Sequence, residues 1–423
     1  MTDQMQASRA GAAPLPGSER YTIISADCHA GAEMYEYKGY LERRFHDDFD
    51  AWASTYVNPF ADLVSNEADR NYDSDRRIRE LESDGIVAEV LYPNTIPPFF
   101  PTSSLTAIPP TKADYGHRWA GLQAHNRWLA DFCSLTPGRR AGIAQILLYD
   151  VDDAVKEIRW AEEAGLTGGI MLPGVPPDSE LPPLFSDVYE PIWATCEELG
   201  LPVNHHGGNA SPMGLTVGGV SGAIFLVEQG WYSHRALWQL IFAGVFERHP
   251  NLTFVMTEQG GSSWLPGLLQ FLDFYYHRFR EDGETVEAVF GGPAASALSL
   301  TPSEYWHRNC LMGASFMRRV ESPLRHQIGV DRIMWGVDYP HNEMTYPYST
   351  ESLRWTFAGV PEDEMRQMLA GNAARVYGFD LDRLTPIGDR IGPRVADVAQ
   401  PLDRPPADSI SLGFTQETFL RPW

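Results

Sequence analysis

Eight short apolar segments recur along this chain, and most are separated by stretches with helical periodicity. No fold assembled from antiparallel hairpins accommodates that order. The β-prone segments lie at 21–28, 86–92, 141–148, 168–172, 201–206, 252–258, 310–315 and 333–338. Helical patterning falls at 76–84, 113–134, 151–164, 185–199, 233–248 and 265–280, and again at 351–358 and 362–377 after the last strand. Gly85, Gly165 and Gly200 stand where helices should stop. Strand–helix alternation implies parallel strands joined by crossover helices, in an open sheet or a closed (β/α)₈ TIM barrel. Eight units favour the barrel.

A barrel needs about 250 residues, and the chain has 423. The surplus is expected in long βα-loop insertions at 31–75, 93–112, 208–232 and 281–305. Residues 1–20, rich in Gly, Ala and Pro, are expected to be disordered, and 21–379 to form one barrel domain. The Pro- and Asp-rich stretch 380–423 is expected to be an extended tail over the surface or over a neighbouring subunit.

Charge narrows the function classes. With 33 basic and 56 acidic residues the net charge is −23, which opposes binding to nucleic acid or to an anionic membrane surface. No secretory h-region and no run of 18 apolar residues occurs. Cys28, Cys133, Cys196 and Cys310 are widely spread without C-x-x-C spacing, as expected of reduced thiols in a cytoplasmic protein. The expected partner is a small-molecule substrate, in a homo-oligomer on base rates.

In a barrel, catalytic groups sit at the C-terminal ends of the strands. The titratable residues there are Asp27 and His29, His205 and His206, Glu258, and Asp338 with His341. All are metal-ligand types. Asp27 and His29, two apart on an extended chain, share a face; the bland alternative is a turn-forming Asp. Val203 facing the helices leaves Asn204 and His206 facing the axis. His206 is therefore the preferred ligand, and His205 is a hydrogen-bonded core residue, a group that steadies a ligand, or a ligand of a second metal. Glu258 ends an apolar strand and needs a partner, whether a metal or a buried ion pair. Asp338 is followed by Pro340 before any helix, which weakens a capping role and leaves a metal ligand and proton acceptor. Gly207-Gly208 and Gly260-Gly261 are not nucleotide motifs, and Ser262-Ser263 lacks a nucleophile elbow.

Taken in order, Asp27-Cys-His29, Pro202-Val-Asn-His-His206, Glu258-Gln-Gly-Gly, Trp335-Gly-Val-Asp338-Tyr-Pro-His341 and Gly371-Asn-Ala-Ala-Arg375-Val-Tyr resemble the amidohydrolase superfamily. The likeness is to the amidohydrolase-2 branch, which includes aminocarboxymuconate-semialdehyde and resorcylate-type decarboxylases. It spans roughly Ile23 to Tyr377. The resemblance implies a distorted (β/α)₈ barrel with a divalent metal, commonly zinc or manganese and sometimes iron, held by Asp27, His29, His206 and Asp338. Two departures stand out. Strand 1 has Asp-x-His where many members have His-x-His, and Glu258 stands where the decarboxylases usually have a histidine.

A glutamate suits proton shuttling or metal binding. Three carboxylates with His29 and His206 suit one or two ions, with His205, His234 or His341 as further candidates. The leading expectation is therefore a metal-dependent hydrolase. A metal-bound hydroxide would attack an amide, ester, lactone or thioester of an apolar acid, with Asp338, Glu258 and His206 as catalytic groups. The alternatives are a non-oxidative decarboxylase of an aromatic or unsaturated acid, and a non-catalytic metal- or ligand-binding barrel.

Overall fold

The computed structural model describes residues 18–58, 63, 65–212, 218–416, 420 and 421. Nine strand segments make up its staves: β1 (Ile23–Ala30), β2 (Ile86–Pro93), β3 (Arg140–Gly142), β4 (Ala144–Gln145), β5 (Ile170–Met171), β6 (Val203–His206), β7 (Phe254–Thr257), β8 (Cys310–Ser315) and β9 (Ile333–Gly336). All pair in parallel, in the orders β1-β2-β3 and β4-β5-β6-β7-β8-β9. The expected third strand, 141–148, is one stave interrupted at Ile143, which is why eight staves yield nine segments. Ile143 N still donates to Leu91 O at 3.0 Å while Ala144 N turns to Gly169 O at 2.9 Å.

The ring is completed between β9 and β1. Cys28 bridges Tyr339 in parallel, Asp338 N donates to Asp27 O at 2.9 Å, and His29 N donates to Tyr339 O at 2.7 Å. This is a distorted (β/α)₈ barrel. Every strand residue is buried, as staves covered on both faces require.

Alternation divides the strand residues between two cores. Ile23, Leu91, Val203 and Phe254 face the surrounding helices. Ile24, Val90, Met171, Val255 and Leu311 belong to an inner cluster that also contains Ala373, Tyr377, Phe379 and Leu384. The closing Gly371–Tyr377 motif thus serves the barrel floor: Tyr377 Oη donates to Asn204 Oδ1 at 2.9 Å.

Three stretches differ from the sequence reading. In 208–232 a helix begins at Gly219 and runs to Phe242, whereas 213–217 lie outside the described residues. The glycines at 218, 219 and 222 conceal that start. In 281–305 two helices form, Val286–Ser296 and Pro302–Asn309, the second opened by a capping box between Thr301 and Glu304. In the tail, Leu381–Ile391 is helical despite Pro386, because Leu381, Leu384, Ile387 and Ile391 form one apolar stripe against the inner cluster. Of the segment expected to be disordered, 1–17 lie outside the described residues, and Arg20 pairs with Arg394. Among the described residues no helix is long and apolar enough to cross a membrane.

Candidate metal centre

Asp27, His29, His206, Glu258, Asp338 and His341 converge at the C-terminal mouth of the barrel. Two overlapping groups, Asp27–His29–His206–Glu258 and His29–Glu258–Asp338–His341, each have ligand atoms within 4.8 Å of one another. They share His29 and Glu258, so they describe one centre. Each side chain arrives from a strand end. Asp27 and His29 lie on β1 and His206 ends β6. Glu258 and Asp338 follow β7 and β9 in left-handed backbone, at φ 52° and 60°. Phe316, after β8, does the same at φ 57°. Such conformations are unfavourable for residues with a Cβ and concentrate where function requires them.

The distances are 3.4 Å from His29 Nε2 to Asp27 Oδ1, 3.1 Å from His29 Nε2 to Asp338 Oδ1, and 3.1 Å from His206 Nε2 to Glu258 Oε2. His206 Nε2 also lies 3.7 Å from Asp27 Oδ1. These pairs are close but not aligned as hydrogen bonds. Asp27 Oδ1, His29 Nε2, His206 Nε2 and both Asp338 carboxylate oxygens are buried without a hydrogen-bond partner. Buried polar atoms are almost always satisfied, so lone pairs pointing at a common interior point fit a cation.

The far sides of the ligands are tied down. His29 Nδ1 faces Pro93 O at 3.4 Å and His206 Nδ1 faces Gly207 O at 3.1 Å. A carbonyl only accepts, so both protons sit on Nδ1 and both Nε2 lone pairs turn inward. Ser315 Oγ donates to Asp27 Oδ2 at 2.5 Å and leaves Oδ1 for the centre. Gly336 makes room for that pair, since a Cβ there would come within 2.6 Å of Asp27 Cβ and Ser315 Oγ. His341 stacks on His29 with centroids 4.2 Å apart. Its Nδ1 is 3.1 Å from Asp338 Oδ1 and its Nε2 3.1 Å from Asn94 Oδ1.

The electrostatics are those of a site built for positive charge. Burial pushes the Asp27 carboxyl up, but His206 and His29 outweigh it and hold it below its ordinary value. Asp338 is likewise held low, burial being outweighed chiefly by His341. Burial and the charge of Asp338 push Glu258 up. Burial disfavours the His341 cation, yet Asp338 carries it to about 10. His206 is raised by Asp27 and Glu258 against the same burial cost. A divalent cation competes with these protons for the same acids and imidazoles.

His205 and His234 lie elsewhere. His205 has Leu172 O at 3.3 Å on Nδ1 and Ser233 O at 3.1 Å on Nε2, and burial brings it down to about 4. His234 has Gln259 O at 3.1 Å and stacks on Trp264 at 3.6 Å. Ser315 and Asn94 are not legible in the sequence as site residues, because neither is a metal-ligand type. Ser315, the polar last residue of an otherwise apolar strand, carried the available signal.

The centre opens into a cavity of about 940 Å³, which His206, Glu258 and His341 line together with Leu105, Phe225, Phe316 and Leu412. One wall is the helix starting at Gly219, and another comes from the C-terminal segment.

Known proteins resemble this chain in sequence and in fold. The family described as Amidohydrolase (Amidohydro_2) matches residues 27–379. γ-Resorcylate decarboxylase of Rhodococcus jostii (strain RHA1) is 26% identical over 269 residues, 60% of this chain and 75% of that protein. The 2-amino-3-carboxymuconate-6-semialdehyde decarboxylase of Dictyostelium discoideum is 26% identical over 362 residues, 83% of this chain and 88% of that one. Among solved structures, the dihydroxybenzoic acid decarboxylase of Polaromonas sp. JS666, with bound manganese and 2-nitroresorcinol, superposes with a TM-score of 0.59. It is 19% identical, over 86% of this chain and 98% of that one.

The chain belongs to the Amidohydrolase (Amidohydro_2) family and is an enzyme of the amidohydrolase superfamily. The expectation of hydrolysis is overturned: these relatives are decarboxylases. The non-catalytic alternative falls as well. A glutamate at this position does not by itself imply hydrolysis: in the structure Glu258 lies with His206, 3.1 Å from its Nε2, and belongs to both ligand groups.

Proposed function

We propose that this protein is a metal-dependent, non-oxidative decarboxylase of an aromatic or unsaturated carboxylic acid. The observation that carries this reading is the set of buried, unpartnered ligand atoms at the base of a largely apolar cavity, in a chain whose curated relatives are decarboxylases. Asp27, His29, His206, Glu258 and Asp338 would hold one divalent ion. Two imidazoles with three carboxylates suit manganese, zinc or iron, and manganese is favoured by its presence in the Polaromonas relative. A bound cation supplies Lewis-acid stabilisation of the substrate carboxylate and a neighbouring oxygen.

The chain's own residues supply orientation, dryness and protons. Leu105, Phe225 and Phe316 place the ring or alkene against the centre and limit water. The His341 imidazolium, 3.1 Å from Asp338 and raised by it against the cost of burial to about 10, supplies the proton that Asp338 passes to the carbon bearing the carboxylate. That carbon–carboxylate bond then breaks, CO₂ leaves, and the electron pair remains in the restored π-system. Glu258, 24% exposed, exchanges protons between the centre and solvent.

Incubation of the manganese-loaded enzyme with a panel of ortho-hydroxybenzoates and muconate-type acids tests this. CO₂ release without ¹⁸O from labelled water in the organic product is expected; ¹⁸O incorporation without CO₂ would overturn it. We further propose a homo-oligomer, supported by exposed Val220, Ile224, Leu226, Val227 and Trp231 on one helix and read by light scattering. Four free cysteines support a reducing, cytoplasmic compartment.

A further inference from the structure

Segment 103–108 separates two cavities. Ser103, Leu105 and Thr106 line the substrate cavity, whereas Ser104, Ala107 and Ile108 line a second one of about 30 Å³ against β4 and the helix Tyr115–Ser134. That is room for roughly two waters or one larger ion, since a water needs about 10–15 Å³. The polar groups on this small cavity are poorly satisfied. Both side-chain atoms of Gln145, the Nε of Arg118 and the Oγ of Ser104 are buried without a hydrogen-bond partner. Gln145 is 0% and Arg118 2% exposed, so bulk solvent does not serve them.

Charge separates water from an ion. Arg118 lies over the Phe100 ring, 4.5 Å from its centroid, and donates from Nη1 to Ile108 O at 2.7 Å. Its carboxylate neighbour, Asp114, is 3.8 Å away and 46% exposed, and Asp114 Oδ1 already accepts from Thr111 N and Oγ1. Among the described residues no carboxylate lines the cavity. A guanidinium removed from water with so weak a counter-charge is costly, and a neutral water does not balance it. The unsatisfied donors among its lining residues, Nε–H of Arg118, the Nε2 amide of Gln145 and the Ser104 hydroxyl, are those a small anion requires.

We propose that this second cavity binds a small monoanion of chloride size, held by Arg118, Gln145 and Ser104, and that the ion anchors the 103–108 wall of the substrate cavity. Through Arg118 and the Ile108 carbonyl, the site is coupled to the segment whose other residues face the substrate.

Two measurements on the unmodified protein test this without any assay of activity. In crystals soaked with sodium bromide, an anomalous peak in contact with Arg118 and Gln145 is expected. In thermal unfolding, Tm should be higher by about 2 °C in potassium chloride than in potassium glutamate at equal ionic strength. That difference should vanish in Arg118→Met or, if that variant does not fold, in Gln145→Leu. A bromide-free cavity filled by ordered water, with the same Tm in both salts, would overturn the proposal. Neither measurement depends on whether the enzyme decarboxylates.

Discussion

Beneath the helix Ser74–Ser83, Glu89 of β2 lies between Arg77 and Arg140; at the mouth, Asp338 lies between His29 and His341. Both carboxylates are removed from water, at 2% and 0% exposure. Glu89 has both oxygens taken: Arg77 donates to them from Nε and Nη2 at 2.7–3.1 Å and Arg140 Nε donates at 3.0 Å. Asp338 has two oxygens with no hydrogen bond at all. The first cluster is closed and holds β2, β3 and a helix together. The second is open, and open lone pairs in a dry place mark a binding site. Asp84 shows a third way to bury an acid. One of its oxygens accepts from Ser349 N at 3.1 Å, the other has no partner, and burial pushes its carboxyl up to about 7. Burial here favours the neutral acid, where Asp338 has a histidine on either side.

Substitutions at the three sites should therefore differ in kind. Asp338→Asn should lower kcat for CO₂ release by roughly 10²–10⁴-fold while leaving the fold intact by circular dichroism. A variant with full activity would remove Asp338 from the chemistry and erase the contrast. Glu89→Gln should leave two guanidiniums buried with a weak partner and cost about 3–5 kcal/mol in urea unfolding, with metal stoichiometry unchanged. Loss of metal without loss of stability would reverse the roles assigned to the two clusters.

Ser315→Ala tests how the open cluster is aimed. Freed from its hydrogen bond, Asp27 should bind metal roughly 10–100-fold more weakly, as read by titration calorimetry on the metal-free protein. Unchanged affinity would mean that the strand alone orients Asp27. The effect that is smallest at any single pH step is expected at Asp84. Its folded pKa lies above the ordinary carboxyl value of 3.8, so between the two values the native state holds a proton the unfolded chain has lost. Stability from this group is full at low pH and declines as pH rises towards about 7, by at most about 1.4 kcal/mol per pH unit. Asp84→Asn should flatten that slope relative to the parent. An identical slope in both proteins would show that Asp84 is ionised in the native state.

Much of the mouth was legible before folding was considered. A strand of known direction ends at a predictable height, and alternation selects its inward residues, which is how Asp27, His29, His206, Glu258 and Asp338 emerge from local patterns. Ser315 and Asn94 did not emerge, because each acts on a residue far away in the chain: Ser315 on Asp27 past Gly336 of the intervening β9, Asn94 on His341. The helix starting at Gly219 was hidden by glycines that tertiary packing tolerates. Glu258 can be weighed as a residue type in the sequence, but which ligands it stands beside depends on where β7 sets it relative to β6 and β9.

The sequence by itself determined the order of strands and helices, the barrel class and the donor types at the strand ends, because these follow from hydrophobic periodicity and chain direction over a few residues. Only the tertiary structure decided which of twelve histidines share a centre, which buried acids are closed by arginine, left open or pushed up by burial, and how the C-terminal segment and the 103–108 wall shape the cavity. Those outcomes depend on distances between groups up to hundreds of residues apart. The free energy of a buried charge is set by those neighbours, not by its place in the chain.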